Sequence, residues 1–269
     1  MKLSNSTCLL TGATGGIGKA IAAALSEQGC MLVLVGRKDE ALKTLNESLG
    51  GQHQCLVADI TSQEGVLSIT NKVSEDKAIN LVIQAAGSAS FSAFESQTNQ
   101  HIRNTIELNL TTPMVLSRTL VPLLVGRNEA CLINVGSAFG SIGYAGFTSY
   151  CASKFGLRGF TEALHREYFS EQIKVKYFAP RATRTSFNSS AVDAMNEKLG
   201  NKVDSPELVA QQLIKQIHKD RARMVVGWPE KLFCRLNGFF PELVDKALSG
   251  KRSTIIEHAN LNNLSGVKQ

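Results

Sequence analysis

Short apolar runs recur along the chain, separated by longer stretches in which apolar and polar residues alternate at helical spacing. "TCLLT" (7–11), "MLVLV" (31–35), "QCLVA" (54–58), "INLVIQ" (79–84), "ACLINV" (130–135), "IKVKYF" (173–178) and "RMVVG" (223–227) are mostly apolar on both faces, as parallel strands covered by helices should be. Between them, 16–28, 38–49, 62–76, 105–125, 148–170 and 206–219 carry amphipathic helical patterns. Ser205, followed by Pro206 and Glu207, marks the start of the last of these. Repeated strand–helix units predict an α/β fold with a doubly wound parallel sheet of about seven strands and helices on both faces. No internal repeat, linker or low-complexity tract divides the 269 residues, so one domain is predicted.

The pattern changes after residue 227. In "WPEKLFCRLNGFFPELVDKAL" (228–248), Leu232, Leu236, Phe239, Phe240, Leu243, Val244 and Ala247 fall at helical spacing, with Lys231, Arg235 and Lys246 between them. Pro241 breaks the run and predicts two short helices rather than one. This extension (228–250) has three readings: helices that close the core or a subunit interface, a lid over a substrate, or a helix on a membrane surface. As a lid, it would place Phe239 or Phe240 in the wall of the cleft. Residues 257–269 read as a polar, mobile tail.

Composition narrows the function classes. A chain of this length that is 43% hydrophobic can bury a sizeable core without covalent staples. The six cysteines form no C-x-x-C pair and lie mostly in apolar runs, which points to a reducing compartment. No stretch reaches the ~18 apolar residues of a membrane span, and "MKLSNSTCLLTG" has no signal-peptide core. The expectation is a cytoplasmic protein without a transmembrane segment. The net charge is +6, but Lys and Arg are spread without a basic run, so a solvated basic surface is expected rather than nucleic-acid binding. No metal site is predicted.

Candidate chemistry begins at "LLTGATGGIGKA" (9–20), where an apolar strand feeds a glycine-rich turn. A Walker loop ending at Gly18-Lys19 would need glycine where Ala13 stands and Ser or Thr where Ala20 stands. Both positions fail. Gly12, Gly16 and Gly18 instead suit a turn whose backbone approaches a pyrophosphate at a helix N-terminus. At "SYCASK" (149–154), Tyr150 and Lys154 stand four apart on one helix face. Ser137 follows an apolar strand in "INVGSAFG", and Asn109 lies further upstream in "ELNL".

In these motifs the chain resembles the short-chain dehydrogenase/reductase superfamily, over about residues 5–227. "TGATGGIG" (11–18) matches that family's T-G-x-x-x-G-x-G; Asp59 in "ADIT" matches its adenine-contacting acid. "QAAG" (84–87) stands for Asn-Asn-Ala-Gly with both asparagines replaced, and "PRATRT" (180–185) for Pro-Gly-x-x-x-Thr with Arg181 in place of glycine. The resemblance implies a Rossmann-like fold, an NAD(P)-dependent oxidoreductase and a tetrad of Asn109, Ser137, Tyr150 and Lys154. It also implies cofactor contacts from Gly12, Thr14, Gly16, Ile17, Gly18, Asp59, Ile60, Ala86, Gly87, Tyr150, Lys154, Pro180, Thr183 and Thr185.

The implied chemistry is hydride exchange with a carbonyl or secondary alcohol. Tyr150 would exchange the proton, its pKa lowered from about 10 by the Lys154 ammonium. Ser137 would stabilise the carbonyl oxygen. For Asn109 two readings stay open, a water-holding member of the tetrad and a structural amide in a helix. In "LVLVGRKDEAL" no acid closes the second strand, and Arg37 and Lys38 stand where a 2′-phosphate would lie, so NADP(H) is expected in preference to NAD(H). The expected partner is a small lipophilic carbonyl or alcohol substrate, and the expected assembly a homodimer or homotetramer, with peripheral membrane contact left open. The alternative, a catalytically silent cofactor-sensing or scaffold protein, has no need of Tyr150 and Lys154 together.

Overall fold

The computed structural model describes residues 1–185 and 187–266, with side chains of the last helix described as far as residue 262. Seven strands form one parallel sheet: β1 (Thr7–Thr11), β2 (Met31–Gly36), β3 (Gln54–Val57), β4 (Ile79–Gln84), β5 (Ala130–Val135), β6 (Ile173–Ala179) and β7 (Arg223–Val225). Their spatial order is β3-β2-β1-β4-β5-β6-β7, the doubly wound arrangement expected from the sequence. The chain winds outward from β1 to β3, then crosses back to β4 beside β1. That reversal opens a crevice at the carboxyl ends of β1 and β4, where such sheets bind ligands.

The strand runs are mostly apolar because successive residues face opposite layers, both covered by helices. Cys8, Leu10, Leu32, Leu34, Leu81, Ile83, Cys131 and Ile133 point to one side. There they meet Ile21 and Leu25 of α1 (Gly16–Glu27), Leu42 of α2 (Asp39–Ser48), and Leu213 and Ile217 of α8 (Pro206–His218). Leu9, Val33, Val35, Val82 and Leu132 point to the other. Their partners are Ile69 and Val73 of α3 (Gln63–Glu75), Leu116 and Leu120 of α5 (Thr112–Leu124), and Leu164 of α6 (Thr148–Glu167).

The helix predicted over 105–125 differs from the one found. Helix α4 (Asn99–Ile106) starts earlier, capped by the Thr98 side chain, which accepts from the His101 N–H. Glu107–Thr111 then form a π-type turn before α5 begins. Pro113 has no N–H for the Asn109 carbonyl four residues back, so the α-helical ladder is already broken there. The Thr112 N–H bonds the Glu107 carbonyl instead, five residues back. A π-bulge of this kind commonly marks a functional position.

After β7 the chain forms α9 (Glu230–Phe239) and α10 (Pro241–Ser249), with Pro241 at the junction. Residues 252–266 form α11 (Arg252–Gly266), so the stretch read as a polar tail from 257 is helical through 266, and Ala259 is buried. Only 267–269 of that stretch lie outside the described residues. Helix α7 (Ser190–Lys198), not anticipated, is capped by the Ser189 side chain, which accepts from the Val192 N–H, and it packs on α11.

The turn after β1 sets a tight steric limit. A Cβ on Gly18 would lie 2.0 Å from the Gly12 carbonyl oxygen. Gly18→Ala must therefore open the turn and should destabilise the fold by about 1–3 kcal/mol, as overpacking does. Urea denaturation checks this; a midpoint equal to that of the unmodified chain would contradict the close approach.

Candidate active site

A cleft of about 1140 Å³ runs across the carboxyl ends of the strands. The turn after β1 enters it with Gly12, Thr14, Gly16, Ile17 and Gly18; the β2 end brings Arg37 and the β3 end Asp59 and Ile60. Ala86 and Gly87 follow β4, Ser137 follows β5, α6 brings Tyr150 and Lys154, and the β6 end brings Pro180, Thr183 and Thr185. Of the residues assigned to the tetrad and the cofactor, two are not in the lining. Lys38 is exposed at the N-cap of α2. Asn109 is wholly buried behind the cleft.

The phosphate end has the donor set a pyrophosphate needs. Gly12 holds φ +66°, and a Cβ there would lie 2.7 Å from the Ala86 backbone. The turn is thereby pressed against the chain leaving β4, across the switch point. Helix α1 opens at Gly16 with Gly15 as N-cap, no side chain capping it and no acid in its first turn. Its N-terminal amides are thus left for an anion in the cleft. Beside it, Asp59 accepts from the Thr61 N–H (3.0 Å) and Oγ1 (2.7 Å). These bonds lower its pKa, and the nearby Arg37 charge adds to the effect. Among the described residues no carboxylate forms an ion pair with Arg37. The residues fit a dinucleotide, with a cation free at the end where a 2′-phosphate would lie.

The chemical end is built from β5 and α6. Ser137 caps a short turn by accepting from the Phe139 N–H at 3.1 Å. Tyr177 of β6 fixes its backbone: the tyrosine hydroxyl accepts from the Ser137 N–H (3.3 Å) and donates to the Ser137 carbonyl (3.2 Å). Gly136 leaves room for that ring, since a Cβ there would lie 2.1 Å from the Tyr177 hydroxyl. Tyr150 and Lys154 stand one turn apart on α6, and the Lys154 Nζ is 5.8 Å from the Tyr150 ring centroid. That ammonium donates to the Val135 carbonyl at 3.1 Å.

Burial dominates both ionisations. It pushes Lys154 down to about 8. It pushes Tyr150 up to about 12, against the hydrogen bond to Ser137 that works to lower it. The sequence reading expected the lysine to bring the phenol below its ordinary value. Here burial is the largest influence, and it raises the phenol's pKa instead.

Asn109 is positioned by the π turn. Its Nδ2 donates to the Ser88 carbonyl (2.8 Å) and to Ser153 Oγ (3.1 Å), and its Oδ1 accepts from the Ser88 N–H (2.9 Å). It clamps the chain after β4 to α6, directly behind Gly87 and Lys154. The two departures in the motifs are also accounted for. Gln84 donates to the Pro113 carbonyl (3.2 Å) and Ser117 Oγ (2.9 Å), tying β4 to α5. Arg181 forms a bidentate pair with Asp204 (2.6 and 2.9 Å) and a second pair with Glu230 (2.9 Å).

Beyond Tyr150 the cleft is walled by aromatic and aliphatic side chains: Phe91, Phe139, Phe147, Phe187, Val192 and Met195. Sequence reasoning passed over them, although "AFGSIGYAGFTSY" (138–150) is visibly rich in aromatics. The extension reaches the cleft through Phe233, Val244, Ala247 and Leu248. Phe239 and Phe240 do not: they are 79% and 56% exposed. Their assignment to the cleft wall is corrected, because the break at Pro241 turns the end of α9 outward.

The model of the family described as short chain dehydrogenase matches residues 6–196. Nodulation protein G of Rhizobium sp. (strain N33) is 32% identical over 198 residues, 73% of this chain and 79% of that protein. The 3-oxoacyl-(acyl-carrier-protein) reductase FabG of Rickettsia prowazekii (strain Madrid E) is 30% identical over 196 residues, 73% of this chain and 78% of that one. Among solved structures, a short chain dehydrogenase from Burkholderia cenocepacia J2315 in complex with NADP superposes with a TM-score of 0.79 at 20% identity, covering 92% of this chain and 99% of that one. A short-chain dehydrogenase from Sphingobium yanoikuyae in complex with NADPH gives 0.76 at 25% identity, covering 89% and 95%.

The buried lysine makes a stability prediction with a definite sign. Its pKa is lowered in the fold, so the unfolded chain binds the proton more tightly. The charge therefore destabilises the fold by about 3 kcal/mol at neutral pH, and that cost fades as pH rises from about 8 toward the ordinary value. Lys154→Met should melt higher than the unmodified chain at pH 7, with the gap closing by about pH 10.5. Melting curves across that range check it; a lower melting temperature at pH 7 would contradict it.

Proposed function

The chain belongs to the short-chain dehydrogenase family of NAD(P)-dependent oxidoreductases acting on CH–OH groups, and on that premise we propose an NADP(H)-dependent carbonyl reductase for lipophilic ketones and the matching secondary alcohols. One observation carries the reading: Ser137, Tyr150 and Lys154 stand at the inner end of a cleft whose outer half is apolar. Gly12 to Gly18 would hold the pyrophosphate, Arg37 the 2′-phosphate, Asp59 and Ile60 the adenine side. Ala86, Gly87, Lys154, Pro180, Thr183 and Thr185 would hold the nicotinamide half. Lys38, exposed at the start of α2, plays at most an outer part in this scheme. When bound, the nicotinamide supplies or takes up the hydride.

The protein's own residues manage the proton and the charge. Tyr150, a neutral phenol, gives its proton to the carbonyl oxygen as that oxygen becomes an alcohol. Ser137 Oγ donates to the same oxygen and stabilises the charge that develops there. The Lys154 ammonium faces the phenolate left behind, in a low-dielectric site where the attraction is strong. Asn109 acts by position: it fixes Ser88 and Ser153, and so the walls on both sides of Lys154.

The outer half supports a lipophilic substrate, since each methylene it buries adds about 0.8 kcal/mol. The extension supports two further expectations. Trp228, Leu232, Phe239, Phe240 and Leu243 are each exposed, and exposed apolar side chains on one extension suit self-association or contact with a membrane surface. Among the described residues no helix is long and apolar enough to cross a membrane. The six free cysteines support a reducing compartment, as in the cytoplasm.

Two experiments test the reading. Tyr150→Phe removes the proton and little volume; turnover of ketones should fall by at least about a thousandfold, as loss of a general acid allows, while NADPH still quenches protein fluorescence on binding. Near-normal turnover would sink the proton assignment. Arg37→Asp should weaken NADPH binding by about tenfold or more and leave NADH nearly unchanged, since one charge-assisted pair becomes a repulsion. An unchanged ratio of the two dissociation constants would move phosphate recognition elsewhere.

A further inference from the structure

The apolar half of the cleft ends in a group of polar side chains that the proposed reaction does not use. Asn196, on α7, is only 5% exposed and lines the cleft. Its Oδ1 accepts from Asn201 Nδ2 at 3.1 Å, while its Nδ2 has no partner. Turning the amide over would only leave the oxygen unpartnered instead, and Asn201 Nδ2 holds it as it stands. The Tyr144 hydroxyl is buried at the same place, with Asn201 beside it. A buried donor without a partner is costly, and a ligand acceptor removes the cost.

Two cations accompany these donors. Lys202 follows Asn201 directly and lines the cleft. Lys251 also lines it, one helical turn before Ile255, which packs with Phe91, Phe147 and Met195. Among the described residues neither lysine forms an ion pair. The cleft contains three carboxylates, and none of them offsets this charge. Asp59 lies at the far, β3 end, Glu107 lies in the π turn, and Glu230 is already paired with Arg181.

We propose that Asn196, Lys202 and Lys251, with Tyr144, bind an anionic group at the distal end of the substrate, so that the preferred substrate is amphipathic: a ketone on an apolar chain that ends in a carboxylate or a phosphate. The proposal rests on the carbonyl-reductase reading for the ketone, and on its own side chains for the anion. The aromatic wall fits the chain, and the donors and cations fit its end. Charge-assisted bonds to the end of the chain fix how far it enters the cleft, and so which carbon stands opposite Tyr150.

Binding is measured first, without turnover. Decanoate, decyl phosphate and methyl decanoate are titrated into the protein by calorimetry, with Lys251→Met and Asn196→Leu beside the unmodified chain. Both anions should bind about tenfold or more tighter than the ester, one charge-assisted bond's worth, and both variants should reduce that preference to about twofold. Tighter binding of decyl phosphate assigns a phosphoryl group and tighter binding of decanoate a carboxylate; either supports the site. Turnover then compares oxo-decanoates with their methyl esters. The acids should show the higher kcat/KM, through KM, and Lys251→Met should remove the advantage without slowing the esters. Ester turnover with no preference for the acid overturns the anion site and leaves the reductase reading standing. Anion-selective binding with no turnover of any ketone overturns the reductase reading, and with it the assignment of the anion to a substrate. Equal loss of acid and ester turnover in Lys251→Met overturns the site as well.

Discussion

A single ammonium buried at the end of the sheet governs the site. Lys154 is only 4% exposed, held by one carbonyl of β5 and lying beside the Tyr150 ring. Such a group destabilises the fold, so its surroundings must be rigid enough to keep water and alternative rotamers out. That rigidity is visible on every side. Val135, at the end of β5, is held by pairing with β6 while pairing with β4 stops at Asn134, and its carbonyl accepts from the lysine. Gly87 gives up its side chain because a Cβ there would lie 3.0 Å from Asn109 Oδ1 and 3.6 Å from the lysine nitrogen. Tyr177 takes the space left by Gly136 and Gly140 and locks the Ser137 backbone. The result is one charge of fixed position facing one phenol of fixed position, the condition that proton transfer at a ketone requires.

The helix packed against this charge is not a simple helix. Pro113 has no N–H to continue the ladder, a π turn covers Glu107–Thr111, and Asn109 within that turn is buried. A straight helix over the same residues would place that amide at a different angle. The defect thus converts an element that supports the sheet into one that clamps the chain after β4.

What the sequence revealed and what it hid follow from this physics. The central strands were legible because burial on both faces leaves apolar runs, as in β4 and β5, and the edge strands β3 and β7 by their short apolar centres. Tyr150 and Lys154 were legible because a four-residue spacing on a helix has one geometric meaning. The start of α4 was missed because its first turn, Asn99 to Arg103, is polar and its signal is only the Thr98 cap. Phe239 and Phe240 were misplaced because helical spacing identifies one face and not its neighbour; a break at Pro241 decides which way that face turns. The aromatic wall and the polar group around Asn196 come from segments far apart in the chain. Spacing cannot bring them together; only the packing of α7 against α11 does.

Arg181 shows how a departure from a motif becomes part of the structure. Where the resembling family has glycine, this chain has a side chain that must go somewhere, and it passes directly over Gly227. A Cβ on Gly227, which holds φ +93°, would lie 2.7 Å from the arginine Cδ. The guanidinium then reaches Asp204 in front of α8 and Glu230 at the start of α9. A bidentate pair in a half-dry site has little freedom, and removing one partner of such a pair leaves a charge stranded at a cost of about 3–5 kcal/mol. The segment from Pro180 to Thr185, which lines the inner end of the cleft, is therefore tied to the first turn of the extension, which lines the outer end. Movement of the extension must either break that ion pair or carry the inner segment with it. The two segments of the cleft lining are thus joined through one guanidinium.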